Sequence, residues 1–274
     1  MNTTFQFERF KKVVVRDARH LWPQFGLTML IVVLLPMALW LFGLAIGHDV
    51  FGNTSPVLRW VEIYIICCLV AILAPSRMYR TCNVRGEGIH FAMLPASHLE
   101  KFLSMVLYSF IICPLLALVA SIVVDTLLWI LPVGSYSTSL FGVPDWYGLS
   151  ETWKTLREEG VDVDSLTMHS LLLFVLGTLA SVSTFFFTNT IFTKHKVLKT
   201  FLWGWLIGFV LNLFLMPFML HHGASLSDWI LQLSERMDED RVVRLLMWAT
   251  ELGYLVWTVA WLVWSYVRLK RMPY

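Results

Sequence analysis

Apolar positions along this chain gather into uninterrupted runs, without the alternation of a half-buried strand or the one-sided stripe of a surface helix. A helix needs about 20 apolar residues to cross the hydrocarbon core of a bilayer. Six stretches meet or approach that length, at about 25–47, 57–75, 102–131, 168–190, 200–220 and 245–267. The first lies within Leu21 to Gly47, 27 residues without a charge, and Pro36 predicts a kink in it, which neighbouring helices can tolerate. The second carries Arg59 and Glu62 in its outer turns, leaving 13 uncharged residues from Ile63 to Pro75. Spaced three apart on a helix, these two side chains can pair. The third is the longest, with Cys113-Pro114 as a kink site and Asp125 near its outer end, so it tilts or breaks. No repeat of fixed period is visible.

The polar segments between the spans set the orientation. Fifteen of the 21 Lys and Arg fall on one side, in the N-terminal segment, after span two, between spans four and five, and after span six. The other six, Arg59, Lys154, Arg157, Arg236, Arg241 and Arg244, share their side with most of the acidic residues. By the positive-inside rule both termini are cytoplasmic, and the loops 133–167 and 221–244 face outward. The predicted fold is therefore all-α, a single polytopic domain over 1–274 in the cytoplasmic (inner) membrane, with six transmembrane helices and both ends inside.

Composition strengthens this reading: 57% of residues are apolar and 15% charged, against roughly a quarter charged in soluble domains. The 13 Trp, 19 Phe and 8 Tyr suit a bilayer and its interfaces. A net charge of +2 spread over short segments implies no nucleic-acid partner. Cys67, Cys68, Cys82 and Cys113 form no CxxC pair, so neither a disulfide framework nor a zinc site is indicated. The start, Met1 to Gln24, lacks the short h-region and cleavage site of a signal peptide and reads as the flank of a retained span.

Two segments hold more pattern than topology requires. In FQFERFKKVVVRDARHLW, Phe7, Phe10, Val14, Leu21 and Trp22 fall roughly at helical spacing among Arg9, Lys12, Arg16 and Arg19. This predicts an interfacial helix at about 5–22, the plainer alternative being a basic flank that only orients the chain. The connection after span two, 76–101, contains SRMYRTCNVRGEGIHFAMLPASHLEKF. Ser97 followed by Glu100 matches a capping box opening the third span. GEG lacks the Lys and Ser/Thr of a nucleotide cradle, so no ATP site is expected here. Ile89, Phe91, Met93 and Leu94 form an apolar patch beside Arg85, Glu87, His90, His98 and Lys101, the make-up of a docking surface.

The run GEGIHFAMLPASHLEKFLS, in a six-span chain with a basic amphipathic start, resembles the permease subunits of ABC transporters of the type-2 exporter class. More narrowly it is similar to small permease-like membrane proteins of Bacteroidetes with an LPAS-x-x-EKF signature, here Leu94, Pro95, Ala96, Ser97, Glu100, Lys101 and Phe102. The resemblance implies an elbow helix before span one and a coupling helix between spans two and three, docked on a separate ATPase subunit. It further implies short outer helices between spans five and six, where Trp229, Ile230, Leu233 and Met237 share a helical face. A homodimer, or a pairing with a related permease chain, follows from the same likeness. The docking residues would be Arg85, Glu87, Ile89, His90, Phe91, Met93 and Leu94.

Ionisable groups at membrane depth are the remaining candidates, because burying a charge costs roughly 2.5–3.5 kcal/mol on insertion scales. Glu62, Asp125 and Glu251 qualify, as paired or solvated span ends or as a polar route between spans two, three and six. His169 begins the fourth span on the outer side; the adjacent His221 and His222, which could bind a metal, read as a solvated loop pair, and the aromatic run 185–187 as lipid-facing or interface packing. There is no GxSxG, HExxH or membrane-depth histidine pair, so no catalytic, cofactor or metal site is expected and any ATP hydrolysis belongs to a partner. The alternatives to a permease are a secondary transporter, a non-catalytic scaffold or sensor, and, least favoured, an intramembrane enzyme.

Overall fold

The computed structural model describes residues 5–46, 56–80, 82, 93–131, 136, 139–141, 154–155, 158, 163–207, 209–210, 212–213, 216–217 and 239–271. All regular structure among them is helical. The helices are α1 (Phe7–Val33), α2 (Leu35–Ile46), α3 (Pro56–Met78), α4 (His98–Ile130), α5 (Val163–Ile191), α6 (196–207) and α7 (Glu239–Lys270). Four of them, α3, α4, α5 and α7, are long and apolar enough to cross a membrane, and α1 with α2 makes a fifth if the bent pair is one span. The span at 200–220 is described only in part, with 196–207 helical.

α1 runs without interruption from the basic segment into the first apolar run, passing through Pro23. The boundary expected near residue 22 is therefore not a break in the helix. Its buried positions fall four or eight apart, Val13, Asp17, Phe25, Met29 and Val33, which is one face of an α-helix. Phe7, expected on the apolar side, is largely exposed. The break comes at Leu34, where α1 and α2 meet at 46°. Pro36 explains it, since a proline has no N–H for the preceding turn and its ring crowds the carbonyl four residues back.

α4 begins as the sequence predicts. Ser97 Oγ accepts the Glu100 N–H at 3.2 Å and Glu100 Oε2 accepts the Ser97 N–H at 2.8 Å, a complete capping box. Further on, Tyr108–Ile112 forms one π-turn in which the Cys113 N–H reaches the Tyr108 carbonyl. Pro114 follows at once and cannot donate to the α-ladder, so the turn widens by one residue ahead of it.

The core threads from Phe25, Met29 and Val33 of α1 through Ile66, Val70, Ala74 and Met78 of α3 to Met105, Tyr108, Cys113 and Ala117 of α4. Phe186 of α5 closes it, edge-on to Phe102 and Phe110. Phe187 packs on Trp261 and Trp264 of α7, so the aromatic run at 185–187 is interface packing. α5 carries many hydroxyls, yet Thr178, Ser181, Thr184 and Thr188 each donate to the carbonyl four residues back. That internal satisfaction lets a Ser/Thr-rich helix sit in an apolar medium. By contrast, side chains 201–207 of α6 and most of α7 are exposed and apolar, a surface that suits lipid or another protein and not water.

Candidate functional site

Polar side chains collect at the two ends of the bundle. At the end where α1 begins, the segment that joins α3 to α4 is fastened to α1 twice. The first fastening is Glu100, fully buried on the first turn of α4. Besides closing its own capping box, it accepts the N–H of Gln6, the N-cap residue of α1, at 2.8 Å on Oε1. The same oxygen receives Arg9 at 3.1 Å. One carboxylate thus caps two helices and neutralises a guanidinium; charge-assisted contacts of this kind are among the stronger hydrogen bonds.

The second fastening is Asp17, 1% exposed in the middle of the basic segment. It accepts Ser104 Oγ of α4 at 2.7 Å and Tyr79 Oη, just past the end of α3, at 3.2 Å, with Arg16 3.8 Å away. Burial and the neighbouring carboxylate push the Tyr79 phenol well above its ordinary value, so it remains a donor. Tyr108 Oη adds a third tie, donating to the Val14 carbonyl at 2.7 Å. Cys82, Lys101 and Lys196 complete the cluster, all buried. Burial pushes the Cys82 thiol up to about 12, a protonated and unreactive state. Burial lowers the Lys196 ammonium to about 8, and its Nζ donates to the Arg80 carbonyl at 3.0 Å.

Of the expected docking residues, Arg85, Glu87, Ile89, His90 and Phe91 lie outside the described residues. Met93 is 77% exposed, while Leu94 turns inward against the core. The apolar patch therefore divides, with Met93 outward and Leu94 part of the anchorage. Trp229, Ile230, Leu233, Met237 and the pair His221-His222 also lie outside the described residues.

At the opposite end, Arg59 does not pair with Glu62 on its own helix. It turns to α4, where its Nε donates to Asp125 Oδ1 at 2.8 Å and its Nη2 to Asp125 Oδ2, both partners being buried. Helical spacing put Glu62 within reach, but Asp125 offers both oxygens to the fork, a geometry that a neighbour on the same helix cannot match. The Arg59 guanidinium also lies 3.8 Å over the Tyr136 ring, so tyrosine and carboxylate together surround a cation that lipid would reject. Glu62 borders a cavity of about 10 Å³ with Asp125, Ser121 and Tyr136, room for about one water.

Glu251 does not join them. Its Oε1 lies 2.7 Å from His169 Nδ1 across the α5–α7 interface, and its Oε2 is buried with no hydrogen-bond partner among the described residues. The three carboxylates thus fall in two separate places, one between α3 and α4 and one between α5 and α7, and not along one route between spans two, three and six. His169, expected at the outer start of the fourth span, is the half-buried partner of Glu251. The residues missed in the sequence are Asp17, Tyr79 and Ser104. Asp17 carried the one available signal, one of two acids, with Glu8, in a segment of five cations. No group of three or more metal-binding side chains occurs among the described residues, and all four cysteines are free thiols.

These features define an all-helical chain with the apolar helices of a multi-pass membrane protein. No protein-family model, curated protein or solved structure matches it.

Proposed function

We propose that the chain is the membrane-spanning permease subunit of an ABC transporter of the export type. In this reading it spans the cytoplasmic membrane six times with both ends inside and couples a separate ATPase subunit to movement of substrate. The observation that carries the reading is that both ends of the 76–101 connection are tied to α1, Tyr79 through Asp17 and Glu100 through Gln6 and Arg9. An ATPase docked on that connection would push on α1, α3 and α4 together, because buried polar ties do not slide as apolar contacts do. The exposed apolar faces of α6 and α7 supply a surface for a second permease chain, the pairing that a substrate pathway needs.

The test is isolation of the protein from its native membrane in mild detergent. An ATPase bearing GxxxxGK[ST] should copurify, and Met93→Asp, which charges an exposed side chain of the patch, should weaken its retention at least about tenfold, as expected for an apolar anchor in an interface. Absence of any ATPase among the stable partners overturns the proposal. A secondary transporter is the second reading, favoured by the titratable His169–Glu251 contact. Transport that survives without an ATPase yet is abolished in Glu251→Gln would select it.

A further inference from the structure

Where α3 ends and the chain turns from α5 into α6, a cavity of about 520 Å³ opens at the same end of the bundle as Glu100 and Asp17. Its wall carries Arg77, Arg80, Lys194, His195 and Lys196 together with Ser76, and no acidic residue among the described residues. Two other cations at this end are paired: Arg9 meets Glu100 and Arg16 faces Asp17. Arg77, Arg80 and Lys194 meet no carboxylate among the described residues, and all three are exposed. Like charges held together without a counterion repel, so such a cluster persists at a cost unless an anion joins it.

The backbone adds to the charge. His195 is the one described non-glycine residue with positive φ, at 50°, and this left-handed turn starts α6, whose first closed bond runs from the Lys199 N–H to the His195 carbonyl at 2.9 Å. The N–H groups of Val197 and Leu198 precede that bond, in the first turn of the helix, and both residues line the cavity. The start of a helix, its dipole and guanidinium forks together suit an oxyanion such as phosphate.

We infer that this cavity binds a phosphate group, carried on an anionic phospholipid or free in solution. It owes nothing to the transporter reading and stands without it. The surroundings favour the lipid. Leu198, Phe201 and Leu202 continue from the cavity along α6 with more than half of their surface exposed, a track for acyl chains directly beneath a headgroup. Basic pockets between helices at the cytoplasmic face are suited to such headgroups.

The experiment uses the full-length protein in detergent, titrated separately with phosphatidylglycerol, phosphatidylcholine and inorganic phosphate, with binding read by native mass spectrometry and by thermal stabilisation. Phosphatidylglycerol should bind and phosphatidylcholine should not. Arg77→Gln with Lys194→Gln should weaken the anionic lipid roughly five-fold per cation, about 25-fold for the pair. Lys11→Gln with Lys12→Gln, which removes the same charge from the exposed face of α1, should leave binding within about twofold. Both pairs alter exposed side chains, and if the Arg77/Lys194 pair fails to fold, Arg77→Gln alone carries the test. Saturable inorganic phosphate binding that the same variant abolishes, without lipid preference, assigns the site to a soluble phosphate. Equal loss in both variant pairs, or no binding of either probe, overturns the inference.

Discussion

At the scale of single residues, the basic end of the bundle is unusual for burying ammonium, thiol and carboxylate side by side. Lys196 shows what that arrangement does to stability. Its ammonium titrates at about 8 in the folded protein because burial disfavours the charged form, with Arg80 adding repulsion and Cys82 opposing it. An unfolded chain holds that proton to about 10.4. Between these values the unfolded state binds more protons, so folding gains stability as pH rises from about 8, the penalty being fully present below it. Cys82 acts in the opposite sense. Its thiol stays protonated to about 12 when folded but ionises near 8.5 when unfolded, so its contribution falls as pH rises through that window. The clean measurement is the difference between wild type and Lys196→Met in thermal unfolding in detergent. From pH 8 to 9 the wild type should gain about 1 kcal/mol relative to the variant; parallel curves would show that Lys196 is not held as described. Glu100 was legible as a cap because its partner lies three residues away. Asp17 was not, since Tyr79 and Ser104 are 62 and 87 positions distant and helical spacing says nothing about which face will bury an acid.

At the scale of elements, run length and proline position carried most of the information. Pro36 and Pro114 marked the two irregularities, and both occur where a missing N–H disrupts the ladder, as a bend at Leu34 and as the π-turn Tyr108–Ile112. The π-turn does more than accommodate a proline, because it sets the rotation of the first half of α4, from which Glu100, Ser104 and Tyr108 all reach α1. Deleting Ile111, which is exposed, would let the ladder close as α-helix and turn residues 98–107 by about 100° relative to 113–130. Those three contacts would then be lost together, at a cost of at least about 3–5 kcal/mol for the buried carboxylates alone. Pro114→Ala keeps the residue count, and the anchored contacts should hold the wide turn in place, for a change below about 1 kcal/mol. Melting temperatures of the two variants check this: the deletion should lower it steeply and the alanine hardly at all. The reverse order would show that the proline alone, and not the anchored contacts, keeps the turn wide. The helix from Phe7 to Val33 was misjudged at its middle for the same kind of reason. Composition changes near residue 22, but the burial of Val13, Asp17, Phe25, Met29 and Val33 on one face continues straight through.

At the scale of the whole molecule, the orientation predicted from basic residues makes a geometric demand: side chains assigned to one face of the membrane must meet one another in space. They do so in contacts far apart in sequence. Arg9 reaches Glu100, Lys196 reaches the Arg80 carbonyl and Arg268 reaches the Thr190 carbonyl at 3.3 Å, all on the side given to the cytoplasm. Arg59 reaches Asp125 and His169 reaches Glu251 on the side given to the exterior. The expectation is therefore that cysteines at Lys11, Lys194 and Lys270, all exposed, are shielded from a membrane-impermeant maleimide in intact cells and react once the membrane is opened, while one at Lys154 reacts at once. The native cysteines are buried or half-buried, which keeps the background low. Labelling of Lys11→Cys from outside would invert the orientation, and with it the side on which an ATPase could dock. Labelling of Lys194→Cys alone would leave both ends in place and remove the pair of crossings that flanks the α5–α6 turn, showing that apolar run length had overcounted the spans.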